Sequence, residues 1–353
     1  MRGATIRVER APLAQGATMS RLIKGGWQLG DGHGDKPDQR QAMADMAAFV
    51  EAGITTFSCA DHYLGVEQLI GDFRRAYPAL AGSVQVYTAF VPDLDRLDNL
   101  DRAYVQGIID RSLQRLGVER LDLLQFAWWD YSYSKVQDAV SILLDLQKEG
   151  RIAELGVTNF NTAWLHKLWD LGFHLVGNQL QYSLLDRRPQ EQGTSAFCRA
   201  NGVAMLSYGA LAGGFIDEKW LGAPEPGEPY ANRSLRKYKL IIEDFGGWPL
   251  FQELLSVLQR IGRRHGVGIG AVALRWTLDQ PGVGGIMVGA TSTRHLEANL
   301  KVFDFTLTPA DRAEIAAVTD RREGPPGDCF DIERDRNGRH GRIMRYNQNE
   351  GRV

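Results

Sequence analysis

The sequence predicts an α/β fold, a closed (β/α)8 (TIM) barrel, on three observations. Eight short apolar or β-branched runs recur along the chain, and each is followed by sequence with helical periodicity. Several helical segments end at a Gly, as QRQAMADMAAFVEAG (39–53) and DRAYVQGIIDRSLQRLG (101–117) do. Eight strand–helix units within about 300 residues fit a barrel better than an open sheet. The predicted strands are RLIK (21–24), ITTF (54–57), VQVYT (84–88), LDLLQF (121–126), IAELGV (152–157), HLVGNQ (174–179), VAMLSY (203–208) and GGIMVGA (284–290).

The chain divides into a barrel and two flanking segments. We expect residues 1–20 to form an N-terminal extension, residues 21–320 a single barrel domain and residues 321–353 a C-terminal tail. Within the barrel, the Gly- and Pro-rich stretch WLGAPEPGEPYANRS predicts a long loop ahead of an extra helix, between residues 218 and 250. The tail holds more large apolar side chains than a disordered segment would, so we expect it to pack on the barrel. These side chains are Phe330, Ile332, Ile343, Met344 and Tyr346.

Composition and charge argue against several classes of function. A formal net charge of −2 gives no basic field for a nucleic-acid backbone, and no run approaches the ~20 apolar residues of a membrane span. The first ten residues, MRGATIRVER, lack the apolar stretch of a signal peptide. The three cysteines and seven histidines are scattered, so we expect neither a disulfide framework nor a metal site. The expected location is the cytoplasm, and the sequence identifies no protein partner.

The stretch GVGIGA (266–271) matches a dinucleotide-binding pattern, but its context does not. That pattern requires a preceding strand and a following helix that binds phosphate. Here the preceding residues, LFQELLSVLQRIGRRH, are helical, and GAVALRW continues as another helix. We therefore interpret GVGIGA as a turn between two helices.

The ends of the later predicted strands carry groups that suit a nucleotide. In a (β/α)8 barrel the chemistry lies at the carboxyl ends of the strands. Thr158 and Asn159 follow one of these strands and Gln179 ends the next, and all three offer hydroxyl or amide groups. Tyr208 offers an aromatic ring for stacking. Backbone N–H groups of the Gly-rich run 209–214 suit phosphates. Three further residues, Gly289, Thr291 and Arg294, lie between the end of the last predicted strand and the start of the helix expected near 293–303, whose amino terminus favours an anion.

With these residues in place, the chain from about 20 to 320 resembles an aldo-keto reductase. The resemblance rests on an ordered series of stretches rather than on any single one. They are GGWQLG (25–30), ADHYLGVEQLIG (60–71), LDLLQF (121–126), GVTNF (156–160), NQLQYSLLDRR (178–188), SYGALAGGF (207–215), ALRW (273–276) and VGATSTRHLEANL (288–300).

The resemblance implies that the barrel binds NADP(H), extended across its upper rim, next to a small-molecule substrate. It implies that Thr158, Asn159 and Gln179 hold the nicotinamide carboxamide and that Tyr208 stacks on the ring. Gly26 and Trp27, from the first matching stretch, are assigned to the same site. The resemblance also implies two further groups of cofactor-binding residues. Along the pyrophosphate lie Gly209, Ala210, Leu211 and Gly213, and around the adenosine phosphate lie Gly289, Thr291, Arg294 and Asn299. One departure at that end is Ala298, where the family commonly has an acidic residue.

The family's catalytic tetrad of Asp, Tyr, Lys and His is incomplete in this sequence. Tyr63 matches the family's proton donor, but Ser58, Ala89 and Ala127 stand at the positions of the Asp, the Lys and the His. No Lys lies between Lys36 and Lys135, so no neighbouring lysine in the sequence replaces the missing one. His62, beside Tyr63, is the candidate for a substitute role. We therefore expect ordinary carbonyl reduction to be impaired.

Three functions remain open from the sequence. The first is an NADP(H)-dependent oxidoreductase with a non-standard mechanism, which the surviving nicotinamide-binding set favours. The second is a non-redox enzyme on the same barrel, a lyase, isomerase or cyclase. The third is a non-catalytic NADP(H)-binding regulatory protein.

Overall fold

The computed structural model describes residues 8–14, 16–30 and 37–349, and its central feature is a closed barrel of eight parallel strands. A short antiparallel pair, β1 (Arg10–Ala14) and β2 (Ala17–Ser20), precedes the barrel. The barrel order is β10-β3-β4-β5-β6-β7-β8-β9, which confirms the predicted fold class. The barrel strands are β3 (Leu22–Gly25), β4 (Thr56–Ser58), β5 (Gln85–Phe90), β6 (Leu121–Ala127), β7 (Ile152–Thr158), β8 (Gly177–Gln181), β9 (Ala204–Tyr208) and β10 (Val283–Gly289).

Helices surround the barrel and bury their apolar faces against the strands. In the helix that follows β5, the Asp101 side chain caps the first turn and Gly117, with φ of +66°, ends the last one. The helices are α1 (Gln39–Glu51), α2 (Val66–Ala76), α3 (Pro78–Ala81), α4 (Arg102–Leu116), α5 (Val136–Lys148), α6 (Thr162–Asp170), α7 (Arg188–Glu191), α8 (Thr194–Ala200), α9 (Arg233–Phe245), α10 (Gly247–His265), α11 (Ile269–Leu278), α12 (Leu296–Leu300), α13 (Pro309–Thr319) and α14 (Asp331–Arg334). No helix in the described ranges is long and apolar enough to cross a bilayer.

The β1–β2 hairpin closes the amino-terminal end of the barrel. Leu13 and Met19 are buried there, in one cluster with Ile23, Tyr87 and Leu123 from the barrel strands. These inward-facing side chains fill the barrel as a packed core, as expected for eight strands. The open end is therefore the opposite one, where the carboxyl ends of the strands meet. Residues 1–7 of the predicted N-terminal extension lie outside the described residues.

The loop-and-helix insertion and the tail both lie where the sequence predicts them. After the long loop come α9 and α10, and α9 packs against the turn that follows β9. The tail carries α14 and docks on the barrel. The backbone N–H of Leu94 donates to the carbonyl of Tyr346 at 3.0 Å, and Asp93 accepts from the N–H of Asn349 at 2.9 Å. The large apolar side chains of the tail drive this docking because they bury surface.

One predicted element, the helix near 293–303, is not continuous. A 3₁₀ turn (Thr293–His295), α12 and a second 3₁₀ turn (Lys301–Phe303) take its place. The break occurs because Ser292 caps a tight first turn and His295 then departs from helical geometry, with φ of −103° and ψ of 3°. GVGIGA is a turn between α10 and α11, as predicted: Gly266, with φ of +68°, ends α10 and Gly268 precedes α11.

Candidate functional site

A cavity of about 560 Å³ opens at the carboxyl ends of the barrel strands. That volume suits a small organic molecule or part of a cofactor. Its wall is built from the ends of β3 to β10, the turn after β9, helix α9 and the C-terminal tail. Most of the predicted site residues line it: Gly26, Trp27, His62, Tyr63, Thr158, Asn159, Gln179, Tyr208, Gly209, Ala210, Leu211, Gly213, Gly289 and Asn299.

The amide groups at the ends of β7 and β8 are oriented by neighbours. Gln125 Nε2 donates to Gln179 Oε1 at 2.7 Å, so the amide nitrogen of Gln179 is left as a donor. Tyr208 Oη donates to Asn159 Oδ1 at 2.7 Å, and the Asn159 amide nitrogen has no hydrogen-bond partner among the described residues. Asn159 itself has a φ of +61°, which Asn tolerates better than most residues. Two amide N–H₂ groups next to a tyrosine ring can bind a planar ligand with a carbonyl oxygen.

Tyr208 is a neutral ring with a cation beside it. Burial raises the pKa of Tyr208 well above its ordinary value, so the phenol stays protonated. Lys237 Nζ from α9 lies 5.1 Å from the centre of the Tyr208 ring and 3.7 Å from Glu333 of the tail. Sequence reasoning missed Lys237 because it belongs to the inserted helix, where no motif marks it as part of the site.

The turn after β9 has the backbone geometry that the Gly-rich run predicts. Gly209 and Gly213 have φ of +82° and +63°, and a Cβ at either position would collide with Tyr238 of α9. The backbone N–H groups of Ala210 and Leu211 have no hydrogen-bond partner within the described part of the chain. Unpaired N–H groups in a glycine turn suit phosphate oxygens.

The end of β10 and the segment after it contribute some of the predicted residues and three others. Gly289 and Asn299 line the cavity, together with His295, Ala298 and Lys301. Thr291 and Arg294 do not line it, and Arg294 is exposed, with its Nε 3.1 Å from His295 Nε2. Arg294 lies in the 3₁₀ turn Thr293–His295, whereas Asn299 lies in α12.

A histidine and a carboxylate form a dyad at the other end of the cavity. His62 Nδ1 lies 3.0 Å from Asp61 Oδ1, and Asp61 is only 2% exposed. Asp61 Oδ2 accepts hydrogen bonds from the N–H of Val91 at 3.0 Å and from Asn349 Nδ2 of the tail at 3.4 Å. A buried carboxylate on Nδ1 fixes the imidazole and leaves Nε2 for chemistry. The sequence identified His62 but not this role of Asp61.

Tyr63 lies beside the dyad, among aromatic rings. Its ring centre is 4.7 Å from that of His62 and 4.9 Å from that of Trp27. Burial, and then the neighbouring Cys59 and Asp61 side chains, raise the pKa of Tyr63 well above its ordinary value. The phenol is therefore a hydrogen-bond donor rather than a strong acid.

The wall beside Tyr63 consists of small side chains. Ser58, Ala89 and Ala127 all line the cavity, and each ends or nearly ends its strand. Ala89 and Ala127 cluster with Ala60 and Val91 next to Tyr63. In the described residues, no group of three or more His, Cys, Asp and Glu side chains could hold a metal ion.

Comparison with known proteins decides the family. The family model described as "Aldo/keto reductase family" matches residues 21–320. The chain belongs to the aldo/keto reductase family. This confirms the resemblance that the sequence motifs indicate.

Individual relatives in this family are distant from this chain. The aldo-keto reductase YhdN of Bacillus subtilis is 25% identical over 324 residues, which cover 88% of this chain and 93% of the relative. The chloroplastic pyridoxal reductase of Arabidopsis thaliana is 28% identical over 79% of this chain and 76% of its own. Among solved structures, the glycerol dehydrogenase AKR11B4 from Gluconobacter oxydans superimposes with a TM-score of 0.74 at 22% identity, over 93% of this chain and 99% of that one. At that identity the superposition shows the shared aldo/keto reductase fold.

Proposed function

We propose that this protein is an NADP(H)-dependent oxidoreductase that interconverts a carbonyl and an alcohol on a small molecule by a non-standard mechanism. The observation that carries the proposal is a shared cavity. The nicotinamide-binding set of the family (Thr158, Asn159, Gln179 and Tyr208) lines the same cavity as Tyr63 and His62. Hydride transfer needs chiefly proximity and orientation, which such a cavity can supply.

The residues present fit a nicotinamide dinucleotide. The free amide nitrogens of Asn159 and Gln179 suit the carboxamide oxygen, and the Tyr208 ring suits stacking. The unpaired N–H groups of Ala210 and Leu211 suit the pyrophosphate. Lys301, near Asn299, supports a phosphorylated adenosine, because its ammonium attracts an anionic oxygen.

The proton in the proposed reaction moves through His62. When bound, the cofactor supplies or accepts the hydride at carbon. In the reducing direction, protonated His62 gives the Nε2 proton to the carbonyl oxygen as the hydride arrives, while Asp61 stabilises the imidazolium. The neutral phenol of Tyr63 donates a hydrogen bond to the same oxygen and polarises it. In the oxidising direction, neutral His62 accepts the alcohol proton.

The proposed mechanism is non-standard because of the small residues around Tyr63. In the family pattern, the Asp, Lys and His of the tetrad fall at the positions of Ser58, Ala89 and Ala127. None of these small side chains supplies the charge or the transferable proton of the residue that it replaces. A lysine cation would bring the pKa of a buried tyrosine down towards neutrality, and burial alone does the opposite. This supports a proton donor other than Tyr63.

The test is a titration with NADPH followed by turnover. We expect NADPH to bind with micromolar or tighter affinity, seen as quenching of tryptophan fluorescence. We expect carbonyl compounds to cause NADPH oxidation, seen as loss of absorbance at 340 nm. If NADPH binds but no aldehyde or ketone causes its oxidation, and no alcohol causes reduction of NADP⁺, the result favours the regulatory alternative. Turnover that persists after removal of the cofactor would favour a lyase, isomerase or cyclase.

Restoring the family tetrad is expected to raise activity on simple aldehydes. The triple variant Ser58→Asp, Ala89→Lys, Ala127→His should increase kcat at least about tenfold, since each transition-state donor contributes on the order of 2–4 kcal/mol. The measurement is NADPH oxidation with a panel of unbranched aldehydes, alongside circular dichroism and NADPH affinity. A folded triple variant that binds NADPH but shows no gain would show that these positions do not correspond to the tetrad.

A further inference from the structure

The last described residues of the tail lie along the segment that follows β5. The backbone N–H of Gln348 donates to Asp93 Oδ1 at 2.7 Å, and the backbone N–H of Asn349 donates to both Asp93 oxygens, at 2.9 and 3.1 Å. Asp93 is 2% exposed and Asn349 is 3% exposed. Because these bonds come from the backbone, they fix the place of residue 349 whatever its side chain is.

The side chain of Asn349 extends from this anchor to the dyad. Its Nδ2 donates to the carbonyl of Val91 at 3.0 Å and to Asp61 Oδ2 at 3.4 Å. An amide N–H₂ group has two protons, so it can make both bonds at once. The tail therefore contacts the carboxylate that orients His62.

The carboxylate of Asp61 has few other donors. Its Oδ1 accepts from the backbone N–H of His62 at 2.7 Å and lies 3.0 Å from Nδ1 of the same residue. Its Oδ2 accepts from the N–H of Val91 at 3.0 Å, and no Lys or Arg side chain in the described ranges forms an ion pair with it. A buried carboxylate depends on its donors, and without Asn349 the Oδ2 atom keeps the Val91 N–H alone. The carboxylate, and with it the imidazole, would then be held less firmly.

We propose that Asn349 is a positioning residue, which holds the Asp61 carboxylate, and through it the His62 ring, in the orientation that leaves Nε2 for the reaction. The inference rests on the proposed function, because Nε2 transfers the proton in that reaction. It makes the docked tail a part of the proton-transfer site. A protein with an undocked tail would then bind NADP(H) but reduce carbonyl compounds slowly.

The first arm of the test observes the His62 ring and does not require turnover. The ¹⁵N shifts of the ring nitrogens distinguish the two neutral tautomers at about pH 8.5, where an ordinary histidine is uncharged, and His62→Gln identifies the signals. We expect the proton on Nδ1 in the wild type and a mixture of both tautomers in Asn349→Leu. Asn347→Leu is the matched control, because Asn347 is an exposed asparagine of the same tail that bonds to Asp95 and does not line the cavity. An Nε2–H tautomer in the wild type, or an unchanged ring in Asn349→Leu, would overturn the proposal.

The second arm measures NADPH oxidation in a double-mutant cycle. Asn349→Leu should lower kcat by about tenfold, the factor typical of one hydrogen bond to a charged group, and should change the KM for NADPH less than about twofold. In the Asp61→Asn background the same substitution should change kcat little further, because the contact on which it acts is already altered. Asn349→Ala, which leaves space rather than a larger apolar group, should behave in the same way. An equal loss in both backgrounds would assign Asn349 to tail docking alone and overturn the proposal.

The two arms together separate this inference from the proposed function. If the His62 tautomer responds as expected but no carbonyl compound causes oxidation of NADPH, the positioning role stands and the proposed function fails. If carbonyl compounds are reduced and Asn349→Leu is as fast as the wild type, the proposed function stands and the positioning role fails.

Discussion

Replacing His62 by Gln is expected to lower kcat for carbonyl reduction by about 10²–10⁴-fold, the range typical of losing a general acid. Gln keeps a polar side chain of similar size but cannot transfer a proton, so NADPH affinity should change little. The measurement is stopped-flow oxidation of NADPH at saturating substrate. His174→Gln is the matched control, because His174 is exposed and lies outside the cavity.

Variants of the two neighbours of His62 show whether His62 itself supplies the proton. Asp61→Asn should cause a smaller loss than His62→Gln, because an amide at this position no longer stabilises the imidazolium but still fills the space. Tyr63→Phe should also reduce kcat, by the contribution of one hydrogen bond to the carbonyl oxygen. Full activity in His62→Gln together with inactivity in Tyr63→Phe would mean that Tyr63 alone supplies the proton.

Replacing Arg188 by Met is expected to lower the free energy of unfolding by about 3–5 kcal/mol, since it leaves the buried carboxylate of Asp186 without its cation and that of Glu333 with Lys237 alone. Arg188 is 2% exposed and contacts Asp186 at 2.7 Å and Glu333 at 3.2 Å, and both of those are at most 1% exposed. Urea denaturation followed by circular dichroism measures the change. Arg321→Met removes an arginine from an exposed pair with Glu253 and should cost about 1 kcal/mol or less.

The same variant should change how the tail responds to acid. Burial raises the pKa of Glu333, but Arg188 and then Lys237 outweigh it, so the pKa falls from 4.5 to about 2. The stabilisation from Glu333 is therefore complete above about pH 4.5 and is lost as the pH falls towards 2. We expect tail docking, followed by limited proteolysis, to survive to about pH 3 in the wild type and to fail at higher pH in Arg188→Met. Identical acid sensitivity in the two proteins would show that this ion network does not hold the tail.

The barrel and much of the lining of its mouth were predictable because their signals are local. Runs such as LDLLQF become buried parallel strands, and polar residues at or near the carboxyl ends of such strands, such as Thr158 and Gln179, line the mouth. The docking of the tail was also predictable, since its large apolar side chains need a surface to cover them.

The remaining parts of the site depend on contacts between residues that are far apart in the sequence. Arg233 and Lys237 reach the mouth because α9 packs against the turn after β9. No residue spacing in the sequence predicts that packing. Asp61 gains its role through Val91 and Asn349, which are 30 and 288 residues away. The 3₁₀ turn Thr293–His295, which no spacing in the sequence predicts, holds Arg294, and that side chain is exposed and does not line the cavity.

The β1–β2 hairpin has a kinetic consequence. Because it closes the amino-terminal end of the barrel, the described part of the chain leaves the mouth at the carboxyl ends of the strands as the entrance for ligands. If a dinucleotide extended from Tyr208 to Asn299, as proposed, it would lie against the wall, and a substrate that reacts at His62 would bind after it. Turnover should then follow a compulsory order in which the dinucleotide is first on and last off, and a dead-end substrate analogue should be uncompetitive against it.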